Sequence, residues 1–502
     1  MTNYQSINPE ILEGTCDFSY MEPHEVFMKL YDKYGYKFLF ESKDISPIYG
    51  RLSLIGIDPV LKISGKDENF SIEILNDRGK IYLQKLKDDD FKICDEYEIT
   101  ENKINGKIIN DTEVIDESKR STKKNISQAI RILLDKFHIN NGKSLLGLYG
   151  AFSYDFIRLF ENIESNTPEN DVDDFSLFLY DTFIFFDHLK QKNQIILYRP
   201  NTQDADNDIE YIRKIITGNN NGEISYDITN PKFALSKEEY EDLVLVAKKY
   251  ANDGELFEVV LSNILKADFA GNPFALYLKY RDFNPSPYLF YFDFKDEHLV
   301  GASPEMMVRC ENNIVSLRPI SGTAKRGDDP IEDHENMLAL LSDPKERAEL
   351  DMLIDLGRND LSRICEPGIE ISDYRFTEKY SRVMHTVAHL SGKLSKQYIA
   401  LDALIACLNA GTLTGAPKVA AMQTIENHEK ERRGYYGGTI GYLTFSGDMD
   451  TGIIIRTAHI KNNKLRFQVG ATLLYDSVPE KEYQETLNKA DAFLRTFTNI
   501  SI

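Results

Sequence analysis
Residues 177–198, LFLYDTFIFFDHLKQKNQIILY, constrain the fold most, because apolar runs this nearly continuous fit strands of a buried sheet. SLLGLYGAFSYDF at 144–156 has the same character. Near the end of the chain GGTIGYLTF, TGIIIRTAHI and LRFQVGATLLY are separated by the turns Ser446-Gly447-Asp448 and Lys461-Asn462-Asn463. Before them come LFEVVLSNIL, SPYLFYFDF and a hairpin turning at Glu311-Asn312-Asn313 into IVSLRPI. NFSIEILNDRGKIYLQKL reads as a further hairpin around Asn76-Asp77-Arg78-Gly79.

Helices punctuate the strands. Ser236-x-x-Glu239 is a capping box, followed by Tyr240, Leu243, Val244 and Ala247 on one face. Residues 331–360 and the stretch from Lys481 onward also read as helix. The polar residues 96–125 read as a loop or mobile excursion. NTQDADND and GNNNGEISYDITNP flank a short helix-like segment and place a boundary near residue 230. A chain of 502 residues is too long for one core, so two domains are expected, 1–230 and 231–502. With no tandem repeat, the class is a strand-rich α+β fold.

Composition excludes several functions. A net charge of −21 argues against nucleic acid or an anionic membrane as partner. No apolar run is long enough to span a bilayer, and MTNYQSINPEILEG lacks the features of a signal peptide. The five cysteines form no CxxC and read as reduced thiols of a cytoplasmic protein.

Two glutamate pairs carry the clearest chemistry: Glu346/Glu349 in KERAEL and Glu482/Glu485 in EYQE. The i,i+3 spacing puts both carboxylates of a pair on one helical face. Facing each other, two such helices offer oxygen ligands to a hard cation such as Mg²⁺, which leaves coordination free for an anionic substrate. A solvated surface explains one pair equally well. NAGTLTGAPKVAAMQ reads as a Gly/Thr turn entering a helix near Pro417, with Thr412, Thr414 and free amides as an anion seat. Arg456 falls in the apolar strand GIIIRTAHI and, if buried, needs a structural or substrate carboxylate. His385 and His389 stand one helical turn apart in SRVMHTVAHLSG; without a third ligand, His385 reads as an acid–base or core histidine.

In order along the chain, RPISGT, ELDMLIDLGRNDLSRICEPG, YSRVMHTV, GTLTGAPK, YYGG, DMDTGIIIRT and DSVPEKEYQETLNKA resemble the signatures of the chorismate-utilising enzymes. The match is closest to the anthranilate synthase component I family, and LFES, FSYD and FDHLKQK extend it into the N-terminal half. The resemblance implies large antiparallel sheets packed face to face with helices outside. It implies that Glu349 and Glu485 hold Mg²⁺, with Glu346 and Glu482 beside them, and that the metal binds the ring carboxylate of chorismate. By the same resemblance Thr412, Tyr436, Arg456 and the amides around Gly470, Ala471 and Thr472 hold the enolpyruvyl side. Gly322 and Thr323 line the ring, Lys489 sits near the metal-bound carboxylate, and His385 and Glu305 serve acid–base steps.

The family's feedback site for L-tryptophan maps onto Glu41, Ser42, Pro285 and Ser286 of the LFES and NPSPY segments. A chain with 28 Tyr, 28 Phe and no Trp fits an enzyme needed when tryptophan runs short. Ser321 and Glu258 stand where relatives that use a covalent or water-activating lysine carry that residue, which favours ammonia as the nucleophile. Glu258 and Thr472 depart from the commonest anthranilate synthase pattern. They keep 2-amino-2-deoxyisochorismate synthase as the alternative, with aminodeoxychorismate synthase behind it. No glutaminase cysteine motif is present, so a separate glutamine amidotransferase and a hetero-oligomer are implied.

Overall fold
The computed structural model describes residues 2–8, 11–43, 52–111, 117–140, 142–218, 222–380 and 383–497. Two sheets of 13 strands each, built from antiparallel pairings, form the body. One runs from the strand Thr2–Asn8 to the strand Tyr226–Phe233, the other from Ile320–Lys325 to Glu96–Ile99. They meet face to face through aromatic side chains. Phe38 of the first sheet lies 5.0 Å from Tyr149 of the second, and Phe292 lies 5.9 Å from Phe178. The outer face of the first sheet is covered by helices Pro23–Leu30, Thr202–Thr217, Pro273–Phe283 and Pro479–Leu494. Helices Pro344–Ser362 and Ala400–Cys407 pack on the second.

Strands from before residue 226 form one end of both sheets, and later strands form the other. The two sets join where Lys37–Glu41 pairs with Tyr288–Asp293 and where Gly147–Phe152 pairs with Thr439–Thr444. The chain passes between the sheets at several points. Asp58 and Asp181 mark two of them and share one guanidinium, with Arg78 Nη1 2.8 Å from Asp58 and Nε 3.0 Å from Asp181. Asp181 is fully buried, yet Arg199 and Arg78 hold its carboxyl below the usual range. Two further crossings, at Ser303–Glu305 and at Ile453–Thr457, carry Glu305 and Arg456.

Several local readings are corrected. KIYLQ is not a strand: Gly79–Leu83 is a helical turn, because the Asn76 side chain accepts from the amides of Arg78 and Gly79. The stretch 96–125 holds a hairpin, Glu96–Ile99 with Lys103–Lys107, at a sheet edge; its wet, polar residues hide the strand pattern. NTQDADND begins the helix Thr202–Thr217, capped by Asn201 and buried along Ala205, Ile209, Ile212 and Ile216. Residues 112–116, 219–221, and Ser381 and Arg382 of YSRVMHTV lie outside the described residues.

The Ser236–Glu239 capping box forms, with Glu239 N 3.2 Å from Ser236 Oγ and Ser236 N 2.8 Å from a Glu239 carboxylate oxygen. The Asn312-Asn313 and Asn462-Asn463 turns adopt positive φ, as tight hairpins require. All five cysteines are free thiols. Among the described residues no helix is long and apolar enough to cross a membrane.

Candidate active site
His385 sits on a strand, Val383–Lys393, not on a helix, because the β-branched Val383, Thr386 and Val387 favour extended backbone paired on both edges. His389 is thus about 13 Å along the strand, too far to share a metal. Against His385 lies Thr323 of the strand Ile320–Lys325, whose register slips between Ser321 and Thr323. Gly322 occupies the slip at φ 68°, and a Cβ there would lie 2.7 Å from Glu346 Oε2. Glycine meets both demands without strain.

The Gly322 carbonyl lies 2.9 Å from His385 Nδ1, and the Thr323 hydroxyl lies 3.0 Å from the same atom. A carbonyl can only accept, so Nδ1 carries the proton and Nε2 is left as a base. Burial, aided by the charges of Arg456 and Arg318, pushes the His385 imidazole down to about 4, which keeps it neutral.

The helix Pro344–Ser362 is fixed at its start by Asp343, which accepts from the Lys345 and Glu346 amides at 2.8 and 3.3 Å. Leu350, Leu353, Ile354 and Leu361 are buried, which turns Glu346 and Glu349 toward the glycine slip. The helix Pro479–Leu494 is anchored by Phe493, whose ring stacks on Phe467 at 4.0 Å, and it presents Glu482 and Glu485. The pairs feel each other. Burial, then the charges of Glu349, Asp343 and Glu485, push the Glu346 carboxyl up to about 7. Glu349 and Glu482 are also raised, chiefly by burial.

Lys489 stands between the parts. Its Nζ lies 2.9 Å from Glu485 Oε1 and 2.9 Å from the Gly470 carbonyl, and its charge acts on Glu305, Glu349 and Glu482. Among the described residues no three acidic, histidine or cysteine side chains gather into a metal cage. The oxygen donors and their mutual repulsion suit instead a hard cation that takes one or two carboxylates and fills its sphere with water and substrate.

Glu305 accepts a hydrogen bond from the Thr412 hydroxyl at 2.9 Å, and burial pushes its carboxyl up to about 8. Arg456 is not within a strand. It stands at a crossing with φ 51°, its carbonyl held by the Ala302 amide and the Tyr280 hydroxyl. Its guanidinium has no carboxylate partner among the described residues, while its charge acts on His385 and Tyr436. The Tyr436 hydroxyl would lie 3.0 Å from a Cβ at Gly470. Thr472 is two residues along the same strand; the Ala471 side chain faces the opposite way, into an aliphatic cluster. Thr414 is buried and closes its own turn on the Ala410 carbonyl, leaving Thr412 alone at the site.

Sequence reading assigned no role at the site to Glu258. Burial and the neighbouring Glu349 push its carboxyl up to about 8. Its signals in the sequence were a carboxylate at a position where some relatives in the resembled family carry a lysine, and a departure from the commonest pattern.

A second polar cluster lies where the sets of strands join. Glu41 takes a two-pronged contact from Arg281 at 3.1 and 3.2 Å, and the Lys43 amide reaches the Ser286 carbonyl at 3.2 Å, next to Pro285. The buried Ser42 Oγ and His24 Nδ1 have no partner among the described residues.

Comparison with known proteins identifies the family. Residues 82–495 match the family model for chorismate binding enzyme. The anthranilate synthase component 1 of Aquifex aeolicus is 36% identical over 94% of this chain and 91% of its own length. That of Acetivibrio thermocellus is 41% identical over 75% of this chain and 81% of its own. The crystal structure of anthranilate synthase component I from Streptococcus pneumoniae superposes with a TM-score of 0.68 at 32% identity, covering 88% of this chain and 92% of that one.

Proposed function
The chain belongs to the chorismate-binding enzyme family, and from that premise we propose that it converts chorismate and ammonia to anthranilate and pyruvate. A separate glutamine amidotransferase supplies the ammonia. The observation that carries this reading is Lys489, around which Glu305, Glu349, Glu482, Glu485 and the Gly470 carbonyl converge from distant stretches of sequence. Two acidic helices alone make a surface; two acidic helices closing on a base, an acid and a guanidinium with no carboxylate partner among the described residues make a site for a dianion.

Glu349 and Glu485 would hold Mg²⁺, which when bound neutralises the ring carboxylate and favours addition to the conjugated diene. Glu346 and Glu482 stand beside them. Arg456, Thr412 and Tyr436 receive the enolpyruvyl carboxylate, and Gly322 and Thr323 line the ring. Glu305, protonated near neutrality, donates to the hydroxyl that leaves C4 as ammonia adds at C2. His385 Nε2 then takes the C2 proton as pyruvate departs.

Incubating the pure protein with chorismate, Mg²⁺ and ammonium at alkaline pH tests the reading. Anthranilate fluorescence is the expected result. A non-aromatic amine that keeps its enolpyruvyl group identifies the 2-amino-2-deoxyisochorismate reaction instead, and no turnover removes the assignment.

L-Tryptophan is proposed as the inhibitor, held by the cluster of Glu41, Ser42, Pro285 and Ser286. The unpartnered Ser42 Oγ supports a ligand there. Ser42→Arg should fill the space and raise the half-inhibitory concentration at least about tenfold with an unchanged chorismate KM. A wild type indifferent to millimolar tryptophan removes the claim.

A further inference from the structure
The strand Glu258–Gly271 pairs along one edge with Lys464–Leu474, from Glu258 to Asp268. Its other edge is interrupted. Glu258 and Val259 pair there with Ala416 and Gly415, and strand pairing resumes at Leu265 with Tyr226–Phe233. In the gap, side chains stand in for a strand. Glu429 Oε1 accepts from the Ser262 amide at 3.0 Å and from the Ser262 hydroxyl at 2.6 Å. Arg433 Nη2 donates to the Val260 carbonyl at 2.6 Å. The two are joined in a two-pronged pair, Nε to Oε2 at 3.0 Å and Nη2 to Oε1 at 2.7 Å, and both are buried.

The rest of the Arg433 side chain reaches toward the site. Nη1 donates to the Leu413 carbonyl at 2.6 Å, next to Thr412. The guanidinium carbon lies 4.9 Å from the ring centroid of Tyr154 and 5.4 Å from that of Tyr436. A Cβ at Gly470 would lie 3.1 Å from Val260 Cγ1 and 3.0 Å from the Tyr436 hydroxyl. One cation thus touches the three pieces of chain that carry Thr412, Tyr436 and the wall beside Gly470. A planar guanidinium with five donors can hold all three in one orientation, whereas an ammonium carries three donors on a single atom. A buried ion pair gains little net stability over apolar side chains of the same volume, so what this one supplies is geometry.

Resting on the reading that Thr412, Tyr436 and Arg456 receive the enolpyruvyl carboxylate, we propose that Arg433 is the positioning residue for that half of the site. It touches no substrate. It fixes the Thr412 turn, the Tyr436 ring and the Val260 wall relative to one another, and the metal side on Glu349 and Glu485 does not depend on it. Arg433→Lys should raise the chorismate KM at least about tenfold, and the inhibition constant of pyruvate, which carries the same carboxylate, should rise in step. The half-saturating Mg²⁺, the ammonium KM and the inhibition constant of anthranilate should stay within about twofold. Damage to the fold does not give this split: inactive protein lowers kcat and leaves every KM alone, and a site disturbed throughout shifts all five quantities.

An unchanged chorismate KM and pyruvate constant in the lysine variant overturn the proposal. So does a parallel shift in the anthranilate constant or the Mg²⁺ dependence. If the lysine variant lacks a native circular dichroism spectrum, Ser262→Ala decides, since it removes one hydrogen bond to Glu429 and leaves both charges in place. Its chorismate KM and pyruvate constant should rise together about threefold, and no change in either overturns the proposal. A wild type that leaves chorismate untouched defeats the functional reading and this proposal together, whereas an active wild type with indifferent variants defeats this proposal alone.

Discussion
Glu485→Gln is expected to lower anthranilate formation at saturating Mg²⁺ at least about a thousandfold, the equivalent of about 4 kcal/mol of transition-state stabilisation. Glutamine keeps the size of the side chain and removes the charge that a divalent ion needs. The fold should not notice. Glu485 pairs with Lys489 where both side chains are well exposed, 49% and 33%, and such a pair contributes little to stability, so the melting midpoint should move by less than about 3 °C. Calorimetry beside a fluorescence assay separates the two effects. Near-normal turnover at saturating metal would remove Glu485 from the metal site.

His385→Ala is expected to slow pyruvate release about 10²–10⁴-fold while amination falls less, so that the aminated intermediate accumulates. The asymmetry follows from the tautomer. Nδ1–H is committed to the Gly322 carbonyl, and the ring is neutral, so the free nitrogen can take a proton but has none to give. The sign of the pH dependence follows as well. With the imidazole titrating near 4, its base form is full from about pH 6 to 8, and the elimination rate owes it a fall only on the acid side. Rapid-quench separation of the two steps checks this. Equal loss of amination and elimination would give the histidine another task.

What the sequence made legible was local. Glycine, asparagine and capping signals placed the hairpin turns at Asn312-Asn313 and Asn462-Asn463 and the helix after Ser236, because each depends on a few adjacent residues. The glutamate pairs were legible for the same reason: i,i+3 spacing needs nothing beyond the helix. The short helix at Gly79 and the edge hairpin at Glu96 were not, since five residues show no period and a wet strand shows no alternation.

Sheet membership was also hidden. Phe175–Tyr180 and Thr182–Asp187 read as one apolar run yet belong to different sheets, divided at Asp181, which pairs with Arg199 of the next hairpin strand and with the sequence-distant Arg78. The same applies to the site. Glu258 shares a face with Thr472 and Gly470 because of the register between Glu258–Gly271 and Lys464–Leu474, a partnership separated by some two hundred positions. His385 was placed on the wrong element because equal spacing of four gives one face on a helix and one face on a strand alike.

The seam between the strand sets has a mechanical reading. Leu289 is paired on one side with Glu41 and on the other with Ala302, and the strand carrying Ala302 ends at Ser303, two residues short of Glu305. The cluster of Glu41 and Ser286, the proposed inhibitor site, is therefore only two paired strands away from Glu305, the proposed proton donor.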